Sequence, residues 1–169
     1  RDDPLSVLLP DGSRETARLD VTTDHRAVTR ADLLVLAVKS YDTERALGDV
    51  TPYLEDTDVL TLQNGLGNLE KLRNAVDERR VLGGTTTMGA FVPEPGTVRI
   101  ESFGDTTIGR PWTANGPFVD RIRDTFDSVG FRTDVTDRVR QAIWKKVLVN
   151  VGINPVTALG GVPNGRLVS

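Results

Sequence analysis

The sequence contains no cysteine and only one histidine, His25. Without thiols there are no disulfides, no thiolate metal sites and no cysteine nucleophile. A single histidine argues against a zinc cluster and against a Ser-His-Asp triad, so no metal is expected. Aromatic residues are sparse, at 5%. No run of about 18 apolar residues occurs, and the opening residues lack a signal-peptide pattern; a soluble, cytoplasmic protein is the expectation, with no membrane partner. Charge of one sign is lacking too. Lys and Arg number 21 against 24 Asp and Glu, for a formal net charge of -3, and no basic patch points to nucleic acid.

What is present is 169 residues, 38% of them hydrophobic, enough for one core or one and a fraction. Strand-like and helix-like text alternates. "LSVLLPDGS" reads as a strand into a turn at Asp11-Gly12. "ADLLVLAVK" is a continuous apolar run of strand length, as expected of a strand buried on both faces of a parallel sheet. A helix is expected over Thr43 to Leu54, a second buried strand in "DVLTLQNG" and a second helix in "NLEKLRNAVDE". "RVLGGTTTMGAFV" and "GTVRIESFGDTTIG" read as strands joined in a hairpin at Pro93-Glu94-Pro95-Gly96. "GPFVDRIRDTFDSVG" reads as an amphipathic helix presenting Phe118, Ile122, Phe126 and Val129, stopped by Gly130. A short strand, "FRTDVTD", then leads to a last helix, N-capped by Thr136 or Asp137. Such alternation with short connections implies an open α/β sheet, whose ligands bind at the carboxyl ends of strands.

Polar residues stand at two of those ends: Lys39 after "LLVLAV", and Gln63-Asn64-Gly65 after "VLTL". Singly, they fit a solvated lysine and a plain turn pair. The last helix, "IWKKVLVNVGINPVTALGG", carries Lys146, Asn150 and Asn154 at steps of four, one slowly drifting stripe on an otherwise apolar segment. On its own the stripe fits a wet surface better than a site. Pro155, directly after Asn154, predicts a kink or break there, because proline lacks the N–H for the helix ladder. Lys145 points about 100° away from Lys146 and reads as its solvated neighbour.

In order, "LAVKSYDT", "TLQNGLGNLEKL", "LGGTTTMGA", "TTIG", "IWKKVLVNVGINPVTALGG" and "PNGRL" resemble the ketopantoate reductase (2-dehydropantoate 2-reductase) family over essentially the whole chain. The resemblance implies an incomplete Rossmann-type dinucleotide-binding sheet over residues 1–136, followed over 137–169 by the first helix of an all-α C-terminal domain. It implies Lys146 as the catalytic lysine and Asn150, Asn154 and Asn164 as substrate contacts. Lys39 and Asn64 would sit where cofactor and substrate meet, and Ala90 would touch the cofactor. The implied reaction reduces a 2-oxo acid to a 2-hydroxy acid with NADPH, in pantothenate and coenzyme A biosynthesis. NADH stays compatible, since no residue here reads a 2′-phosphate, and a homodimer is compatible as well.

A lysine suits this reaction because negative charge grows on the keto oxygen as the carbonyl is reduced. A cation with protons to give stabilises that charge and then neutralises it. Partial burial, with Val147, Leu148 and Val151 as part of an apolar surround, would bring its pKa down. Asparagines fix a hydroxyl- and carboxylate-bearing substrate without adding charge.

The family's G-x-G-x-x-G loop has no counterpart: "GLGNLE" lacks the third glycine and follows a different strand. The expectation is therefore a fragment. Roughly 30 residues of strand, loop and helix are missing before Arg1, and most of the helical domain is missing after Ser169. Such a chain is expected to be inactive alone and to self-associate through an exposed sheet edge. The alternatives are a reductase of another branched 2-oxo acid and a non-catalytic remnant that pairs with itself or a partner.

Overall fold

A computed structural model describes residues 4–162. Asp11 turns the chain after Leu5–Leu8 (β1): its carboxylate accepts from the Ser13 N–H at 2.9 Å, while Gly12 takes φ 84°. Arg14–Ala17 (β2) then returns antiparallel to β1. Leu33–Leu36 (β3), Thr43–Val50 (α1), Asp58–Thr61 (β4), Asn68–Ala75 (α2) and Val81–Thr86 (β5) follow as strand–helix units. Gly89–Glu94 (β6) and Thr97–Ser102 (β7) form the expected hairpin. Thr106–Gly109 (β8), Pro117–Ser128 (α3), Thr133–Val135 (β9) and Val139–Gly160 (α4) complete the described chain.

Two sheets result, where the sequence suggested one. The larger has the order β3-β4-β5-β8-β9, with β3, β4 and β5 parallel and β8 antiparallel to β5. The smaller has the order β2-β1-β7-β6. Each of the two long strand-like runs breaks in the middle, and its outer part leaves for the smaller sheet. Gly104 makes this crossing feasible, because a Cβ there would lie 2.4 Å from the Thr87 carbonyl carbon. The crossing is fastened by the Thr87 N–H donating to the Asp105 carbonyl at 3.0 Å.

The larger sheet is covered on both faces. Leu36, Val59 and Val81 pack with Leu47 of α1 and Leu69 and Leu72 of α2, and Ile143 of α4 borders this cluster. Leu60, Leu82 and Ile108 face Val119 and Ile122 of α3. Each such side chain contributes about 1.5–3 kcal/mol on burial. The Gly83-Gly84 pair of β5 lets both layers close: a Cβ on Gly83 would meet Leu69 at 2.6 Å, and one on Gly84 would meet the Thr107 carbonyl oxygen at 2.6 Å.

Four expectations are corrected. β3 is not buried on both faces: it is an outer strand of its sheet and Val35 is 43% exposed, while β4 is the enclosed strand. On α3, Val119 and Ile122 point inward and Val129 is 64% exposed, because the helix has ended at Ser128. The cap of α4 is Arg138; Thr136 instead turns the entry, its hydroxyl accepting from the Arg138 N–H at 3.1 Å. Pro155 does not break α4, which runs on to Gly160 and ends at Gly161 in the left-handed region, φ 61°. One proline removes a single ladder hydrogen bond, and the turns on either side carry the helix through.

Candidate active site

The carboxyl ends of β3 and β4 are tied together by the glutamine and second asparagine of "QNGLGN". The Gln63 amide accepts from the Thr61 hydroxyl at 2.9 Å and donates to the Val38 carbonyl and to the Thr43 hydroxyl. Asn68, buried at the start of α2, donates to the Ser40 hydroxyl at 3.3 Å and to the Asn64 carbonyl at 3.2 Å. The Ser40 hydroxyl also donates to the Asn64 carbonyl at 3.2 Å, and the Lys71 ammonium donates to the Ser40 carbonyl at 2.9 Å. The backbone of Asn64 is thus held by its neighbours, while its side chain is left on the surface between two concavities.

The first, of about 330 Å³, runs along the end of β3 from Val35 to Ser40 and against Leu62, Gln63 and Asn64; exposed Lys39 lines it. The second is a cleft of about 770 Å³ between the carboxyl end of β5 and α4. Asn64, Thr86, Lys146, Asn150 and Asn154 all line it, with Lys145 and Asp105 as further charged groups on its wall. Asn64 therefore belongs to both, and the Lys146 stripe faces a concave surface.

Lys146 is half-buried, and its ammonium donates to the Thr86 carbonyl at 2.6 Å. Burial pushes its pKa below the ordinary 10.5, because desolvation disfavours the charged form. Of the expected apolar surround only Val147 is part-buried, since Leu148 is 67% and Val151 64% exposed. The end of β5, where Thr86 sits, supplies the rest of the cover. Asp105 pairs with Arg132 at 2.9 Å.

Of the residues singled out in the sequence, Lys146, Asn150, Asn154 and Asn64 come together, and Lys39 lies one crevice away through Asn64. Ala90 does not join them: it is exposed on β6, paired with Ile100 in the smaller sheet, because the strand containing "TTTMGA" breaks before it. Asn164 lies outside the described residues. Lys145 is exposed, as expected, yet it borders the same cleft as Lys146. Missing from the sequence reading are Thr86, the lysine's partner, and the bracing roles of Gln63 and Asn68. The run of three threonines closing a buried strand was their available signal. Among the described residues no cluster of His, Asp and Glu could hold a metal, and no helix is long and apolar enough to cross a membrane.

The family model described as ketopantoate reductase PanE/ApbA matches residues 3–112, and its C-terminal counterpart matches residues 138–169. The 2-dehydropantoate 2-reductase of Halobacterium salinarum is 48% identical over 168 residues, which is 99% of this chain and 55% of that protein. The crystal structure of a PanE/ApbA family ketopantoate reductase from Ralstonia eutropha is 30% identical with a TM-score of 0.81, covering 97% of this chain and 53% of that one. A ternary structure of D-mandelate dehydrogenase with NADH and anilino(oxo)acetate shares the fold, with a TM-score of 0.81 at 23% identity over 90% of this chain and 50% of that one. The chain spans about half the length of the curated relatives it matches. By sequence and by fold, it belongs to the ketopantoate reductase family.

Proposed function

We propose that this chain carries the keto-acid-handling part of an NADPH-dependent 2-dehydropantoate 2-reductase, making pantoate for pantothenate and coenzyme A synthesis. The observation that carries the proposal is the meeting of Lys146, Asn150, Asn154 and Asn64 on one cleft that adjoins a second crevice at the strand ends. Lys146 is the general acid: its ammonium stabilises negative charge on the keto oxygen and delivers a proton there. Its lowered pKa makes that delivery easier than from an ordinary lysine. Asn150 and Asn154 orient the substrate's carboxylate and hydroxyl groups.

The crevice beside Lys39 suits a dinucleotide, because open strand ends line it, a cation stands on its wall and Asn64 connects it to the lysine cleft. When bound there, a reduced nicotinamide supplies the hydride. Lys39 and Asn64 would hold it. Residues 1–136 then form the cofactor side and 137–169 open the helical substrate domain, a division supported by the separate C-terminal family match.

Lacking a G-x-G-x-x-G loop, the 169-residue chain is proposed to be inactive by itself. The test is NADPH oxidation followed with ketopantoate and with other branched 2-oxo acids, using a protein in which this chain is preceded by a strand bearing that loop. Preference for ketopantoate, lost in Lys146→Ala, is the expected result. Equal rates on every 2-oxo acid, or full turnover without Lys146, would refute it.

A further inference from the structure

We propose that Thr106 is a positioning residue for Lys146, acting through Thr86. The lysine's acceptor, the Thr86 carbonyl, belongs to the last residue of β5, where the chain leaves one sheet for the other. The peptide that follows is held by the Thr87 N–H, which donates to the Asp105 carbonyl at 3.0 Å, while the Thr86 side chain would by itself be free to turn. Here it is braced. Thr106, the first residue of β8 and fully buried, pairs with Thr86 in the antiparallel register, and its hydroxyl donates to the Thr86 hydroxyl at 3.0 Å. The Thr86 hydroxyl also accepts from the Met88 N–H at 3.2 Å, which fixes the chain just past the break. Thr106 is itself anchored by its N–H, which donates to the Arg132 carbonyl at 2.8 Å.

Among the described residues, the hydroxyl of Thr106 makes no hydrogen bond other than that to Thr86. Valine has the same shape and would fill the same space, so packing alone does not call for a hydroxyl at this place. A buried hydroxyl is costly unless it is bonded. Its effect is to hold Thr86 in one rotamer and so, together with the Thr87–Asp105 bond, to keep the carbonyl aimed at the lysine. Thr106 is not itself among the residues that line the cleft, and its hydroxyl reaches the lysine only through Thr86.

The test reads the lysines directly, and rests on the proposed reductase function only in its activity arm. The chain's four lysines are Lys39, Lys71, Lys145 and Lys146, and each can be followed by peptide mass spectrometry after a trace dose of acetic anhydride. Lys71 is the internal standard, because its ammonium also rests on a backbone carbonyl, that of Ser40. In Thr106→Val, labelling of Lys146 is expected to rise about fivefold relative to Lys71, the change that one ordinary hydrogen bond is worth. Thr106→Ser, which keeps the hydroxyl, is expected to restore the original ratio.

An unchanged ratio in Thr106→Val overturns the proposal, as does a rise shared by Lys71, which would mark general loosening. If Thr106→Val does not fold, Thr86→Val removes the other end of the same bond and carries the same expectation and the same refutation. In a reductase containing the chain, Thr106→Val is expected to lower kcat with KM little changed. A chain with no reductase activity in any context would defeat the proposed function while the labelling ratio still decides the brace.

Discussion

The ammonium of Lys146 lies 2.6 Å from the carbonyl oxygen of Thr86, a residue 60 positions earlier in the chain. This bond joins α4 to the end of β5 and holds Lys146, whose pKa burial lowers, on the wall of the 770 Å³ cleft. It makes the acid–base behaviour of the site measurable.

Burial holds the Lys146 pKa below 10.5 in the folded protein. In the proposed role of general acid, Lys146 must carry its proton, so turnover is expected to fall as pH rises through that lowered value. The alkaline limb of the kcat profile is expected to lie below pH 10.5. The unfolded chain binds this proton more tightly than the folded one, so between the lowered pKa and 10.5 stability rises with pH. Urea titrations across that window should show the rise, and Lys146→Met should flatten it.

Replacing Lys146 by alanine removes an interaction strongest where charge develops. A loss of about 10²–10⁴ in kcat is expected, with a smaller change in KM. Asn150→Ala and Asn154→Ala should do the opposite, raising KM for the 2-oxo acid by about tenfold each while kcat falls less. Steady-state kinetics with saturating NADPH separates the two patterns.

Away from the site, Arg110 and Asp58 form a two-pronged ion pair at 3.0 and 3.1 Å, with side chains only 11% and 14% exposed. Removing Arg110 strands the Asp58 charge at the start of β4. Arg110→Ala is expected to cost about 3–5 kcal/mol, measured by urea unfolding. The joint replacement of Arg110 by Met and Asp58 by Leu should cost much less, because no charge is left alone.

Gly109 closes β8 with the Thr136 carbonyl oxygen only 2.1 Å from where its Cβ would stand. That oxygen is backbone and also accepts from the Asn115 amide at 3.1 Å, so it cannot swing away like a side chain. Gly109→Ala is expected to destabilise by about 1–3 kcal/mol, with α4 displaced from the sheet. A lowered melting temperature with increased Trp112 exposure would show it.

Much of this was legible in advance. Every helix and strand anticipated from apolar patterning exists, because the two amphipathic helices each bury one consistent face and the continuous apolar run "DVLT" is buried on both. The Lys146–Asn150–Asn154 stripe was legible because spacing by four survives whatever the helix packs on. The division into two sheets was not, since "RVLGGTTTMGAFV" has no local signal at Thr87 beyond its polarity; the break depends on Gly104, far downstream in the next strand-like run. For the same reason the place of Ala90 in the smaller sheet was not legible. The solvent-facing apolar residues of α4, such as Leu148 and Val151, read from the sequence as the lysine's surround. Hydrophobicity tells that a face wants cover, and it does not tell which neighbour supplies it.

The Lys146–Thr86 bond has one more consequence. One end rides on a helix and the other on a sheet, so its length follows the spacing between the two. Any ligand that wedges the cleft wider must first take the ammonium from Thr86. The lysine thus works as a built-in gauge, reporting through its own chemical reactivity how far α4 has opened from β5.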